Sequence, residues 1–169
     1  MQHYGIPTRF LDWTESALIG IFYAVRKAER NSSPCVWVLD PYWLNDESTG
    51  KTAVFFTDPI GQSEEDEIIN PYCIASPNLP KYPVGIFPPY VDERMKAQHA
   101  SFTIHGSIPN GLHILSQRSL PPRLYQLQVK NSSIKRIRRE LFTSGIREST
   151  IYPAMEGLAI EIKDEFGDR

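Results

Sequence analysis

Apolar residues crowd most densely into residues 17–25, where Ala, Leu, Ile, Phe, Tyr and Val are interrupted only by Gly20. Thr14 has the side chain of a helix N-cap, and Glu15 follows where the helix dipole favours a carboxylate. Lys27 and Arg30 suit the opposite end, and Asn31-Ser32-Ser33-Pro34 stops the pattern. A helix is therefore expected from about Glu15 to Arg30. Leu18, Ile19, Phe22, Tyr23 and Val25 leave it so little polar surface that it should be central and buried on most sides.

Cys35-Val36-Trp37-Val38-Leu39 is a short apolar run after a turn, which predicts a buried strand ended by Asp40-Pro41. A second short strand is expected at Ala53–Phe56. From Thr57 to Asp92 the period fails: the stretch holds seven of the fourteen prolines and the acidic run Glu64–Glu67, and reads as a long irregular excursion of the lid or binding-loop kind. Ser101–His105 alternates like a half-buried strand, and Leu112–Leu115 suggests another. Arg123–Val129 alternates most clearly, with Tyr125, Leu127 and Val129 on one face.

Two helices are expected to close the chain. The first is capped at Ser132 or Ser133 and runs to Ser144, with Ile134, Ile137 and Leu141 as its stripe and Gly145 as its stop. The second opens at Pro153, and Met155, Leu158, Ala159, Ile162 and Phe166 recur with a helical period. Strands separated from runs of helix make this an α+β pattern, a small mixed sheet flanked by helices. The 169 residues fit a single domain spanning 1–169.

Composition narrows the class. Hydrophobic residues at 41% and charged residues at 22% are those of a soluble globular protein. The net charge of −2 argues against a general polyanion binder, which carries a basic excess. Two cysteines, Cys35 and Cys73, read as reduced thiols of a cytoplasmic protein rather than a disulfide framework. The apolar run at 17–25 is too short for a membrane span, and no signal peptide is visible. His99, His105, His113 and Cys73 lack the tight spacing of a zinc site, so no metal is expected. Lys135, Arg136, Arg138 and Arg139 read as a solvated helix face.

The chemistry concentrates in Gln2-His3-Tyr4-Gly5-Ile6-Pro7-Thr8-Arg9-Phe10-Leu11-Asp12-Trp13-Thr14. Amide, imidazole, phenol, hydroxyl, guanidinium, carboxylate and indole precede a buried helix, whose free N–H groups favour anions. Arg9 is suited to phosphate or carboxylate, and His3, Tyr4 or Trp13 could stack on a base. The same residues also admit a structural reading, with Asp12 pairing Arg9 to lock the turn and Trp13 packed as core. The opening Gln2-His3-Tyr4-Gly5 reads as the middle of a motif, so part of the domain is expected upstream.

This segment resembles the signature of the FRG domain family, in which glutamine, histidine, an aromatic or histidine and glycine lead into Pro-Thr-Arg-Leu-Leu-Asp-Trp; Phe10 replaces a leucine. Arg94-Met95-Lys96-Ala97-Gln98-His99-Ala100-Ser101-Phe102 resembles a second family segment, Arg-Ile-x-x-Gln-x-Gly-x-Phe, with Ala100 at the usual glycine. Gly145-Ile146 and Ile151-Tyr152-Pro153-Ala154-Met155-Glu156-Gly157-Leu158-Ala159 resemble the closing one. The Phe-Arg-Gly tripeptide that names the family is absent from this chain.

The resemblance implies an ADP-ribosyltransferase-like core using NAD as substrate, in bacterial toxin or phage defence settings. Arg9, Asp12 and Gln98 are the catalytic candidates it implies. Arg9 would bind phosphate, Asp12 would stabilise positive charge or orient Arg9, and Gln98 would hold the ribose hydroxyls. Gln2, His3, Tyr4, Thr8, Trp13, Thr14 and Arg94 would line the cofactor. Glu156 is a weaker acidic candidate, read more simply as solvated or capping. The acceptor would be a protein or nucleic acid, and an upstream segment or partner chain would complete the domain. A non-catalytic nucleotide- or protein-binding module is the rival reading, since no strong acidic catalytic residue stands out; a nucleic-acid enzyme is disfavoured by the charge.

Overall fold

Asp40 places its carboxylate under the backbone N–H groups of Tyr42 and Trp43, both at 3.1 Å, and Pro41 fixes the first helical φ. The signal that ends the strand Cys35–Leu39 (β2) thus also starts a helix, Pro41–Thr49 (α2), which the sequence reading left out. The computed structural model describes residues 8–29, 31–57, 65–72, 76–153, 157, 159 and 162. The fold is α+β, with a small mixed sheet and helices. The chain divides into two compact units: unit 1 is Met1–Trp13, Val38–Pro89 and Ser101–Tyr125, and unit 2 is Thr14–Trp37, Tyr90–Ala100 and Gln126–Arg169.

The main sheet contains Phe10–Thr14 (β1), Phe55–Phe56 (β3), Val84–Phe87 (β4) and Ala100–Ile104 (β5), in the order β1-β5-β4-β3. β3 runs parallel to β4, with Phe55 opposite Ile86. β4 runs antiparallel to β5, with Val84 opposite Ile104 and Gly85 opposite Thr103. Phe55, Tyr72, Val84, Ile86 and Ile104 form one buried cluster of unit 1, and Leu44, Leu112 and Leu115 form another. The fully buried Asn45 on α2 reaches strand β4: its amide N–H donates to the Gly85 carbonyl at 2.9 Å and the Ala53 carbonyl at 2.6 Å, and its Oδ1 accepts from the Gly85 N–H at 2.6 Å. A Cβ on residue 85 would meet that Oδ1 at 3.4 Å, about van der Waals contact.

In unit 2, Ala17–Val25 (α1) packs on Ile134–Thr143 (α6) through Ile19, Phe22, Val25, Ile134 and Leu141, with Ile151 joining them. Arg138 donates from Nε to the Val25 carbonyl and from Nη2 to the Ala28 carbonyl, each at 2.8 Å, and so satisfies the open end of α1. Glu93–Ala97 (α4) packs on Glu148–Ile151 (α7). β2 and Leu124–Gln128 (β6) form a separate two-stranded ribbon. Asp66–Ile69 (α3) and Gly111–Arg118 (α5) complete the elements, with 3-10 turns at Asn70–Tyr72 and Asn131–Ser133.

Several expectations are corrected. Thr14 is the last residue of β1 rather than the N-cap, its hydroxyl donating to the Gln98 carbonyl and accepting from the Ser16 N–H; Ser16 caps α1 instead, accepting from the Ile19 N–H. Helix α1 ends at Val25 rather than Arg30. The excursion from Thr57 to Asp92 contains β4, an interior strand disguised by its glycine and the proline before it. Leu112–Leu115 is helical, within α5. The face of β6 expected to be apolar and covered is open, with Tyr125 and Leu127 both exposed. β2, β6 and α6 fall where the periodicity puts them, but β2 is not the buried strand expected, with Trp37 and Val38 exposed, and α1 is buried along one face only, with Leu18 and Tyr23 exposed. In the expected last helix, residues 157, 159 and 162 are helical, while Met155, Glu156, Leu158 and Phe166 lie outside the described residues.

Candidate functional site in unit 2

The residues singled out in the first motif divide between the units. Gln2, His3 and Tyr4 lie outside the described residues. In unit 1, Thr8 is half-buried with its hydroxyl unpartnered among the described residues. Arg9 donates from Nη2 to the Tyr72 carbonyl and points Nη1 at the His105 carbonyl, 3.5 Å away. The backbone N–H of His105 donates in turn to the Arg9 carbonyl at 2.8 Å. Asp12 is exposed on β1. Trp13 donates its indole N–H to Thr103 Oγ1 at 3.1 Å, and that buried oxygen lies 3.4 Å from His105 Nε2. Burial lowers the His105 pKa, so its imidazole is held neutral more readily than a free one. The guanidinium and the indole thus spend their donors on the protein itself.

Unit 2 holds Thr14, Arg94 and Gln98. Thr14 Oγ1 donates to the Gln98 carbonyl at 2.8 Å, and the Glu15 N–H donates to the His99 carbonyl at 3.0 Å. Those two bonds fasten the end of the first motif to the second. Between them His99 adopts φ of 47°, a left-handed conformation that L side chains rarely take and that glycine would take freely. Gln98 Nε2 lies 3.4 Å from the Ile151 carbonyl, leaving Oε1 directed to no partner among the described residues.

Arg94 leads to a group of residues that the sequence did not announce. Its guanidinium sits 4.8 Å from the centre of the Tyr152 ring, and that of Arg26 sits 4.9 Å from the same centre. Arg26 Nη1 donates to the Tyr152 hydroxyl. Arg26 Nε is 3.0 Å from Glu148 Oε1, a close ion pair whose direction misses the N–H axis. The side chains of Arg26 and Glu148 retain only 16% and 12% of their exposure. Tyr23 hydrogen-bonds to Tyr152, and burial, followed by that contact, pushes its pKa well above the ordinary phenol value, so it stays protonated. The buried Nε of Arg94 has no hydrogen-bond partner among the described residues.

Arg26 directly follows α1, and 126 positions separate it from Tyr152. No spacing rule reaches that far. The one available signal was Tyr152 itself, inside the closing family segment. Among the described residues no group of histidine, cysteine, aspartate or glutamate side chains could hold a metal ion, and no helix is long and apolar enough to cross a membrane.

An α+β chain with a polar motif running through a strand into a buried helix is the class these features define. The model of the FRG domain family matches residues 1–33, covering that motif and α1. No curated protein and no solved structure matches the chain.

Proposed function

We propose that this chain is an NAD-using enzyme of the ADP-ribosyltransferase kind, passing ADP-ribose to a macromolecule or to water in a bacterial or phage conflict. The observation that carries the reading is the pair of bonds from Thr14 and Glu15 to the backbone of Gln98 and His99. They bring together the segment matched by the FRG domain model and a second segment resembling the same family. The strained φ at His99 lies at that joint, where functional sites often store strain.

The chemistry asked of the site is electrostatic. Cleaving the bond between ribose C1′ and the nicotinamide nitrogen sends the electron pair to nicotinamide and leaves an oxocarbenium-like ribose. An acceptor oxygen then bonds to C1′ and releases its proton to solvent. Gln98 Oε1 would accept from a ribose hydroxyl, and Arg94 would face the phosphates. The proposed site is confined to unit 2; Arg9 and Asp12 belong to unit 1 and have no step in it.

The test is incubation of the full chain with NAD, following free nicotinamide and labelled ADP-ribose. Nicotinamide release that falls at least about tenfold in Gln98→Ala supports the proposal. Intact NAD and no binding of millimolar ADP-ribose contradict it. A second reading, a nucleotide-binding module without turnover, draws on the fact that the Gln98 amide N–H and the Thr14 hydroxyl both face backbone carbonyls. Tight ADP-ribose binding with intact NAD selects that reading.

A further inference from the structure

The arginine pair in unit 2 is unusual in its charge balance. Arg26 and Arg94 bring two permanent positive charges to the Tyr152 ring, and Glu148 supplies one carboxylate, placed against Arg26. Arg94 takes part in no ion pair or hydrogen bond among the described residues, although its Nε is buried. A guanidinium carries five donors in a planar fork and cannot shed its proton. Keeping one half-buried with a ring face as its partner is costly, because a cation–π contact supplies only part of what hydration gave. The usual resolution is an anion.

We propose that Arg94, together with Arg26 and the Tyr152 hydroxyl, forms an oxyanion site for the phosphate of a nucleotide ligand. The proposal rests on the reading above for the identity of that ligand, the phosphates of a dinucleotide. Both guanidinium groups contact the Tyr152 ring, which ties the two cations to one side chain. Glu148 neutralises half of the positive charge, which keeps the empty cluster stable while leaving one charge for the ligand. The Tyr152 hydroxyl accepts from Arg26 and also meets the Tyr23 hydroxyl, with which an entering anion would compete. Tyr23 meets the cluster and also lines an open depression with Ala24, Lys27 and Ser33, which gives room beside it for the rest of a nucleotide.

Phosphate is favoured over a simple carboxylate because two forks can engage separate oxygens of a multiply charged group. Inorganic pyrophosphate, ADP and adenosine are the probes, titrated calorimetrically into the full chain, its Arg94→Gln variant and its Tyr152→Phe variant. Pyrophosphate and ADP should bind, adenosine should not, and affinity should weaken as salt rises. Arg94→Gln should weaken ADP by about tenfold or more, and Tyr152→Phe, which keeps the ring, by a smaller factor. Arg94 makes no hydrogen bond among the described residues, so its variant should keep the wild-type circular dichroism and melting temperature within a few degrees. Arg94→Lys restores charge without the fork and should recover only part of the affinity.

Equal ADP affinity in the wild type and Arg94→Gln overturns the proposal, as does a wild type that binds neither pyrophosphate nor ADP. The two readings part cleanly. If ADP binding depends on Arg94 while NAD stays intact, the oxyanion site stands and the enzymatic reading fails. If NAD is cleaved with the same KM in Arg94→Gln, the enzymatic reading stands and the oxyanion site fails.

Discussion

In unit 1 the Asn45 amide closes three bonds onto the backbone of Gly85 and Ala53, and Arg9 turns its guanidinium toward two carbonyls. In unit 2 two guanidinium groups share one phenol ring, that of Arg26 lies beside the Glu148 carboxylate, and the buried Nε of Arg94 has no hydrogen-bond partner among the described residues. Both units bury polar groups: Asn45 in unit 1 and Arg138 in unit 2 spend donors on backbone carbonyls, whereas the Nε of Arg94 has no hydrogen-bond partner among the described residues. Hydrogen bonds completed within the protein hold a backbone in place, whereas a donor held ready without a partner has a cost that a ligand can relieve. Complete satisfaction therefore marks Asn45 as part of the scaffold, and the unpartnered Nε is what singles out Arg94 as a candidate to meet a ligand.

The largest effect should come from the scaffold. Asn45→Ala strips partners from a buried N–H and two carbonyls and opens a cavity, which should cost about 3–5 kcal/mol in urea unfolding. An unchanged midpoint would mean that these short bonds contribute nothing net. Next is Tyr72, whose burial raises its pKa from 10.0 to about 12. The folded state holds that proton more tightly than the unfolded one, so its contribution is complete below about pH 10. It is lost as pH rises towards about 12, by roughly 2–3 kcal/mol. Tyr72→Phe removes that alkaline step, although it loses the bond to the Tyr82 carbonyl at all pH values. A step of the same size in the variant would assign it elsewhere.

Arg94→Gln should change stability by no more than about 1 kcal/mol, the scale of its contact with the Tyr152 ring. A loss as large as that of Asn45→Ala would erase the contrast between the units. The smallest effect is expected at His105, whose pKa is lowered by burial. Its contribution is present above the ordinary histidine value and declines as pH falls below it, since the unfolded state then binds the proton more readily. His105→Gln should flatten that acid slope in a stability-against-pH series, and an unaltered slope would assign it to other groups.

Local pattern carried part of this fold into view and distance concealed the rest. α6 was legible because Ile134, Ile137 and Leu141 repeat at helical spacing and Gly145 adopts a positive φ at its end. β2 and β6 were legible from apolar run and alternation. β4 was not, since a four-residue interior strand with a glycine in it has neither length nor period. Thr14 has the side chain of a cap but ends β1, and its hydroxyl bonds to Gln98, 84 positions away. At the candidate site, Arg94, Gln98 and Thr14 were visible as motif residues. Arg26 and Glu148 were not, because a pairing across the chain leaves no local signature.

The most direct test of the contrast is the melting temperature of the full chain with and without millimolar ADP-ribose, in the wild type and in Arg94→Gln. A ligand that binds only the folded state raises it by mass action. A rise of several degrees in the wild type that disappears in the variant is the predicted result. Equal shifts in both proteins, or none in either, would contradict the assignment of a ligand site to unit 2.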